Sequence, residues 1–294
     1  MASALVAING TCSSGVAYDA ADQGGLTTHL RATPVNVVLA GAVFLLFEWA
    51  LLTSRWPRDW FLQKFAKANP LLTAKQLRER VLAANSRLVG TLHLIIQVPL
   101  AVYIICSPSI LANKLYSRTT ASVTFLAISA GYFFYDLLVS IFRYEGMAYL
   151  VHGAFAFILY TYGALSGALG YYGALFILWE CSTPFVYLRW FLFNMGQAKS
   201  RWYIINGLLM LASFALFRNV LGVAMSVDFW YTSGKEMVQP SVIGGLSPAV
   251  LWTYRIFNCC LNALNFFWLS KMASGAVKVL VGGRAVSATV RGDS

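Results

Sequence analysis

The sequence predicts an all-α membrane protein: a bundle of about seven spanning helices around a central cavity. Three observations point to it. Hydrophobic residues make up 59% of the 294 residues and charged residues 11%, with a mean hydropathy of +0.65; a soluble domain is about 45–50% apolar and about 25% charged. Apolar runs of about 20 residues, the length that crosses a bilayer, recur along the chain. The basic residues fall mostly between those runs.

The runs are 35–53, 88–107, 121–141, 147–165, 169–188, 204–223 and 248–270. The segment MASALVAING lacks a basic stretch followed by an apolar one, so no cleavable signal is expected. With the N-terminus outside, sixteen Lys and Arg fall in inside segments and four (Arg31, Lys114, Arg118, Lys235) outside, leaving Arg218 and Arg255 within spans. That asymmetry predicts a lumenal N-terminus and a cytosolic C-terminus. The Asn9-Gly10-Thr11 sequon is then lumenal. The closing Arg-Gly-Asp-Ser is cytosolic and reads as chance.

Between the first two spans, residues 54–87 are basic, and Thr73 can cap a helix there. This is either an amphipathic helix on the cytosolic leaflet or an extension of the second span. The short, Gly-rich ALSGALG (164–170) makes the fourth and fifth spans antiparallel neighbours. The net charge of +11 sits in loops without a nucleic-acid motif, so anionic headgroups are the expected partners and nucleic acid is not. Five cysteines without metal-ligand spacing read as free thiols, and no metal is expected.

Ionisable groups within spans are costly and usually face the bundle interior, a cavity or one another. The candidates are His93, Asp136, His152, Glu180, Arg218 and Arg255. His93, Asp136 and His152 each lie about five residues from the cytosolic end of their spans, roughly 7–8 Å deep. Glu180 lies deeper, on a face with Gly173, Phe176, Thr183 and Tyr187, and could pair with Arg255 or Arg218. Gly90, His93 and Gln97 share a second face, and Arg255, Asn258, Asn262 and Asn265 form a polar stripe. All three faces are expected to converge on a partly polar interior, with Pro184 kinking the fifth span beside Glu180.

NSRLVGTLH (85–93), GYFFYDLLV (131–139), YLVHG (149–153), LWECSTPFVYLRWFL (178–192) and YRIFN (254–258) carry a family resemblance. The chain resembles TLC-domain proteins, the family of the translocon-associated TRAM proteins, the longevity-assurance ceramide synthases and a ceroid-lipofuscinosis membrane protein. STPF with RWFL is most similar to the less characterised TLC-domain-containing subgroup. The resemblance implies a TLC domain at 80–272, preceded by a lumenal segment (1–33) and a first helix with a basic loop (34–79), and followed by a cytosolic tail (273–294). It implies a helix bundle around a cavity in the endoplasmic reticulum or a connected membrane. Ceramide synthases use adjacent histidines and nearby aspartates to move an acyl chain from acyl-CoA to a sphingoid base. Here Val151 stands before His152, so one histidine of that pair is absent, while Asp136 and Glu180 match acidic positions on the flanking helices.

The expected function is therefore membrane-lipid homeostasis, by binding or sensing a lipid or acyl chain in the cavity. Glu180, His93, Arg255, Asn258 and Tyr135 are the expected binding residues. The alternative is an acyl-CoA-dependent acyltransferase acting on a sphingoid base or lysolipid, with His152 and Asp136 catalytic and no cofactor. A homo- or hetero-oligomer in the membrane is compatible with either.

Overall fold

Polar residues that look like punctuation in the sequence prove to be helix junctions or helix interior. The computed structural model describes residues 23–143, 146–242 and 245–291. The sequon at Asn9, Cys12, most of the expected lumenal segment and the last three residues lie outside these. The elements are α1 (Gln23–Thr53), α2 (Arg55–Ala68), α3 (Ala74–Ile105), α4 (Pro108–Leu111), α5 (Thr120–Phe142), α6 (Met147–Ser166) and α7 (Gly170–Ile177). A 3₁₀ segment (Leu178–Ser182) leads into α8 (Thr183–Asn194), then α9 (Arg201–Phe214), a π-helical turn (Ala215–Val220), α10 (Leu221–Val238) and α11 (Pro248–Arg291). No strand occurs among the described residues.

Five helical stretches are long and apolar enough to cross a membrane: Thr33–Thr53, Ala74–Ile105, Thr120–Phe142, Met147–Ser166 and Arg201–Val238. The expected fifth span is instead two helices joined by the 3₁₀ segment, and the expected seventh is the first part of α11. The reason at the former is Pro184, in the first turn of α8. It has no N–H to donate, and its ring crowds the carbonyl four residues back, so a continuous α-helix through LWECS is disfavoured. The expected outside loop 224–247 is also largely helix. Its polar residues are satisfied by partners within the fold, Asp228 by Lys114 and Ser226 by Asn258, so they do not end the helix.

Of the two alternatives for the basic segment 54–87, the structure takes the extension of the second span for residues 74–87, with a separate short helix, α2, before it. At Thr73 the hydroxyl accepts the Gln76 N–H at 3.3 Å, and the Gln76 side chain accepts the Thr73 N–H at 2.9 Å, a reciprocal cap.

The chain forms two units, one from residues 23–50, 89–178 and 224–258, the other from 51–88, 179–223 and 259–291. In the first, α1 meets α5 where Gly41 and Gly131 leave room. A Cβ built on Gly131 would stand 2.6 Å from both the Ala40 Cβ and the Gly41 nitrogen. α6 returns into α7 through Gly167 (φ 67°) and Leu169 (φ 63°). A left-handed leucine is strained; here it is 2% exposed and its N–H donates to the Leu115 carbonyl at 2.7 Å. Leu169 joins Leu115, Tyr116, Ala168, Tyr172 and Phe229 in a cluster that closes this end of the unit. Tyr160 donates to the Gly173 carbonyl at 2.7 Å, fixing α6 and α7 as the expected neighbours.

In the second unit, Phe61 and Phe65 of α2 pack with Val81 and Ala84 of α3 and with Trp190 and Phe191 of α8. Asn194 ties the same three elements, accepting from Arg80 at 2.7 Å through its side chain and from Asn69 at 3.0 Å through its carbonyl.

Two outcomes are expected. Gly131→Val forces α1 from α5 and costs about 1–3 kcal/mol, read as a lowered Tm in detergent; an unchanged Tm would mean that the contact carries no stability. Burial pushes the Tyr116 hydroxyl up to about 12, the Leu246 N–H opposing and Glu236 adding to the rise. Below pH 10 this tyrosine is neutral folded or unfolded. Between pH 10 and about 12 only the unfolded chain ionises, so its contribution is lost as pH rises. Tyr116→Phe should flatten the alkaline fall in Tm, and an identical profile would contradict this.

Candidate functional site

His93, Asp136 and His152 all lie in the first unit. His93 of α3 is 1% exposed and stacks on Tyr132 of α5, ring centroids 3.8 Å apart and planes 8° from parallel. Phe133, next in sequence, meets His93 edge-on at 5.7 Å and His152 of α6 edge-on at 6.3 Å. One aromatic ring thus touches both imidazoles. Gly153, beside His152, admits Asp136: a Cβ there would stand 3.2 Å from the Asp136 Oδ2. Asp136 and His152 are half-buried, whereas Tyr135 is 1% exposed.

A residue outside the expected set completes this centre. Glu48 of α1, 6% exposed, accepts from Arg143 just past α5 at 2.6 Å. Tyr135 packs beside it, its ring 6.5 Å from that of Phe44 on the same helix as Glu48. The signal was available in the lone carboxylate of the first run, FLLFEWALLT. Gln97, one turn along from His93, is fully buried and donates to the Phe125 carbonyl at 3.4 Å.

Glu180 belongs to the second unit, and of its two expected partners it takes Arg218. Arg218 Nη2 donates to Glu180 Oε1 at 2.9 Å and to Thr183 Oγ1 at 3.0 Å. Its Nε donates to Ser182 Oγ at 3.0 Å and its Nη1 to Asn265 at 3.3 Å, while Thr183 donates to Glu180 at 2.6 Å. Of the expected face, Glu180 and Thr183 are joined by this hydrogen bond, and a 3₁₀ turn, which advances each residue by about 120° instead of about 100°, interrupts the α-helix across Leu178–Ser182. Gly173 is a helix contact, its Cβ position 2.7 Å from a Leu126 methyl, and not a cavity wall.

Arg255 and Asn258 turn to α10. Arg255 donates to Ser233 Oγ at 3.0 Å and to the Trp230 carbonyl at 2.6 Å. Asn258 donates to Ser226 at 3.0 Å and accepts from the Trp230 indole at 3.3 Å. The expected polar stripe is therefore real, with Arg255, Asn258 and Asn265 all buried, but its members serve different partners.

These features define a helical membrane protein with an imidazole–carboxylate centre held among aromatic rings. The chain belongs to the TLC-domain family, whose model matches residues 83–274. It is 30% identical over 205 residues to the TLC domain-containing protein 4-B of Danio rerio, covering 67% of this chain and 75% of that protein. The human TLC domain-containing protein 4 is 27% identical over 222 residues, 73% and 81% of the two chains. An uncharacterised TLC domain-containing protein of Schizosaccharomyces pombe is 26% identical over 206 residues, 68% and 67%. No solved structure matches the chain.

Glu180→Gln strands the Arg218 guanidinium and should cost about 3 kcal/mol in thermal or denaturant unfolding in detergent. Replacing both, as Glu180→Leu with Arg218→Met, should cost less than Glu180→Gln alone. A double variant worse than the single one would show that the pair does more than neutralise charge.

Proposed function

We propose that this TLC-domain protein acts in membrane-lipid homeostasis by binding a lipid or acyl chain whose polar end rests at the Asp136–His152 centre. The observation that carries the reading is the approach of Asp136 to the α6 backbone at Gly153, beside His152. A carboxylate and an imidazole on adjacent helices are both half-buried in an otherwise apolar bundle. In that surrounding a polar headgroup gains donors and acceptors that the hydrocarbon lacks. Phe134, Ile141, Phe142 and Tyr149, exposed on the same two helices, suit the tail. His93 and Tyr135 shape the centre from within. Seven spans, a lumenal N-terminus, a central cavity and residence in the endoplasmic reticulum or a connected membrane belong to this proposal.

The same approach favours a second reading, an acyltransferase. An imidazole with an ordinary pKa near 6.5 can act as nucleophile or general base at neutral pH. A neighbouring carboxylate can orient it and stabilise its cation. Acyl-CoA would be the donor and a sphingoid base or lysolipid the acceptor.

Native mass spectrometry of the detergent-purified protein, with and without long-chain acyl-CoA, separates the two. Lipid binding predicts a retained lipid whose occupancy falls about tenfold in Asp136→Asn or His152→Ala, without CoA release. Acyl transfer predicts CoA release or an acyl adduct that His152→Ala abolishes. A folded protein with neither lipid nor turnover would remove both readings.

A further inference from the structure

A second polar site lies at the other end of the first unit, in residues that the Asp136–His152 centre does not use. The segment Leu111–Leu115 and the last three turns of α10 form the walls of an open groove of about 920 Å³. That volume is in the range of small-molecule sites. Its lining mixes charge, amides and hydroxyls with the apolar side chains of Leu111 and Val238 and the rings of Trp230 and Tyr231.

The charges decide what it can hold. Lys114 is committed, with Nζ 2.9 and 3.0 Å from the Asp228 carboxylate and 5.2 Å from the Tyr171 ring. Asp228 also accepts from Tyr172 at 2.9 Å. Glu236 is likewise satisfied, by the Tyr116 hydroxyl at 2.9 Å, the Ser241 N–H at 3.0 and 3.1 Å and the Ser241 hydroxyl at 2.7 Å. Lys235 is different. It is exposed, lies 4.4 Å from the Tyr231 ring and pairs with no carboxylate among the described residues.

Behind the groove lies a second cation without a carboxylate partner among the described residues. Arg255 is 7% exposed, and its hydrogen bonds go to neutral oxygens, Ser233 Oγ and the Trp230 carbonyl. Its guanidinium lies 4.6 Å from the Trp230 ring and 5.1 Å from the Trp252 ring. Gly234, which lines the groove, packs directly on it, a Cβ there standing 2.8 Å from Nη2. A buried guanidinium without a counter-charge is costly, and an anion nearby repays that cost. Lys114, Lys235 and Arg255 together outnumber Asp228 and Glu236 by one charge.

We propose that this groove binds a phosphoryl anion, carried by an anionic phospholipid headgroup or by a soluble phosphate ester. A phosphoryl group offers several acceptor oxygens. They match the ammonium of Lys235, the Arg255 charge behind Gly234 and the amides of Asn113 and Gln239. Trp230, Tyr231, Leu111 and Val238 suit the glycerol and first methylenes of a lipid at a membrane interface.

The test uses the full-length protein in dodecyl maltoside. It is titrated separately with dioleoyl-phosphatidylglycerol, dioleoyl-phosphatidylcholine and glycerol 3-phosphate, with binding followed by native mass spectrometry and thermal shift. Lys235→Glu changes an exposed side chain, so its fold is retained, and Lys64→Glu makes the same charge change in the other unit. Arg255→Gln is the second probe. Preferential retention of phosphatidylglycerol, weakened about tenfold by Lys235→Glu and not by Lys64→Glu, supports the headgroup form. The same dependence for glycerol 3-phosphate without lipid preference supports the soluble form. Binding of neither, or binding weakened equally by both glutamate variants, overturns the proposal.

Discussion

An ionisable side chain inside a bilayer has no water to fall back on, so the protein itself must supply its counter-charge and hydrogen-bond partners. That constraint selects the contacts on which both units are built. Glu48 finds Arg143 and Glu180 finds Arg218. Each pair joins segments far apart in the sequence. Lipid tails are as apolar as leucine, so burying apolar surface does little to drive one membrane helix onto another. Charge pairs and the close approaches allowed by small residues, such as Gly131 against Ala40, do that instead.

The helical irregularities follow from the same demand. Glu180 sits in a 3₁₀ segment and Arg218 in a π-helical turn. One is tighter than an α-helix and the other wider, so each turns its residue by an angle that a regular helix would not give. Four of the five guanidinium N–H donors are matched by Ser182, Glu180, Thr183 and Asn265. Both faults in helix geometry are local costs recovered in one satisfied ion pair. The inward-facing asparagines of α11 are understood in the same way, since Asn265 and Asn258 are partners to side chains of other helices.

How much of this could be read from the sequence depended on how local each cause was. Five of the seven expected spans were legible because hydropathy is a property of consecutive residues, and the Thr73 cap because its partner is three residues away. Pro184 announced the break beside Glu180. Its extent did not show, because the 3₁₀ turn also depends on the partner that Glu180 reaches. Asp228 and Ser226 looked like a loop, since the Lys114 and Asn258 that neutralise them lie 114 and 32 residues away. Glu48 was overlooked for the same reason: its cation, Arg143, seemed to belong to a loop. Composition thus gave the solvent, periodicity gave the elements, and only the folded chain gave the pairings.

Val151 precedes His152, so α6 offers a single imidazole. Among the described side chains the other imidazole is His93, supplied from α3 and sharing the Phe133 ring with His152. Its environment argues against proton traffic. A ring 1% exposed, stacked at 3.8 Å on Tyr132 and met edge-on by Phe44, is fixed in place and has little access to water. A general acid or base must exchange its proton with solvent or substrate in each cycle. His152 and Asp136, both half-buried, retain access to an incoming molecule. His93 thus packs against the α5 aromatic residues, and one of them, Phe133, also meets His152. Anchoring a polar headgroup needs only these two groups at rest, whereas acyl transfer needs the one imidazole to take the acceptor's proton and return it to the leaving thiolate. Binding is the reading that asks less of this geometry.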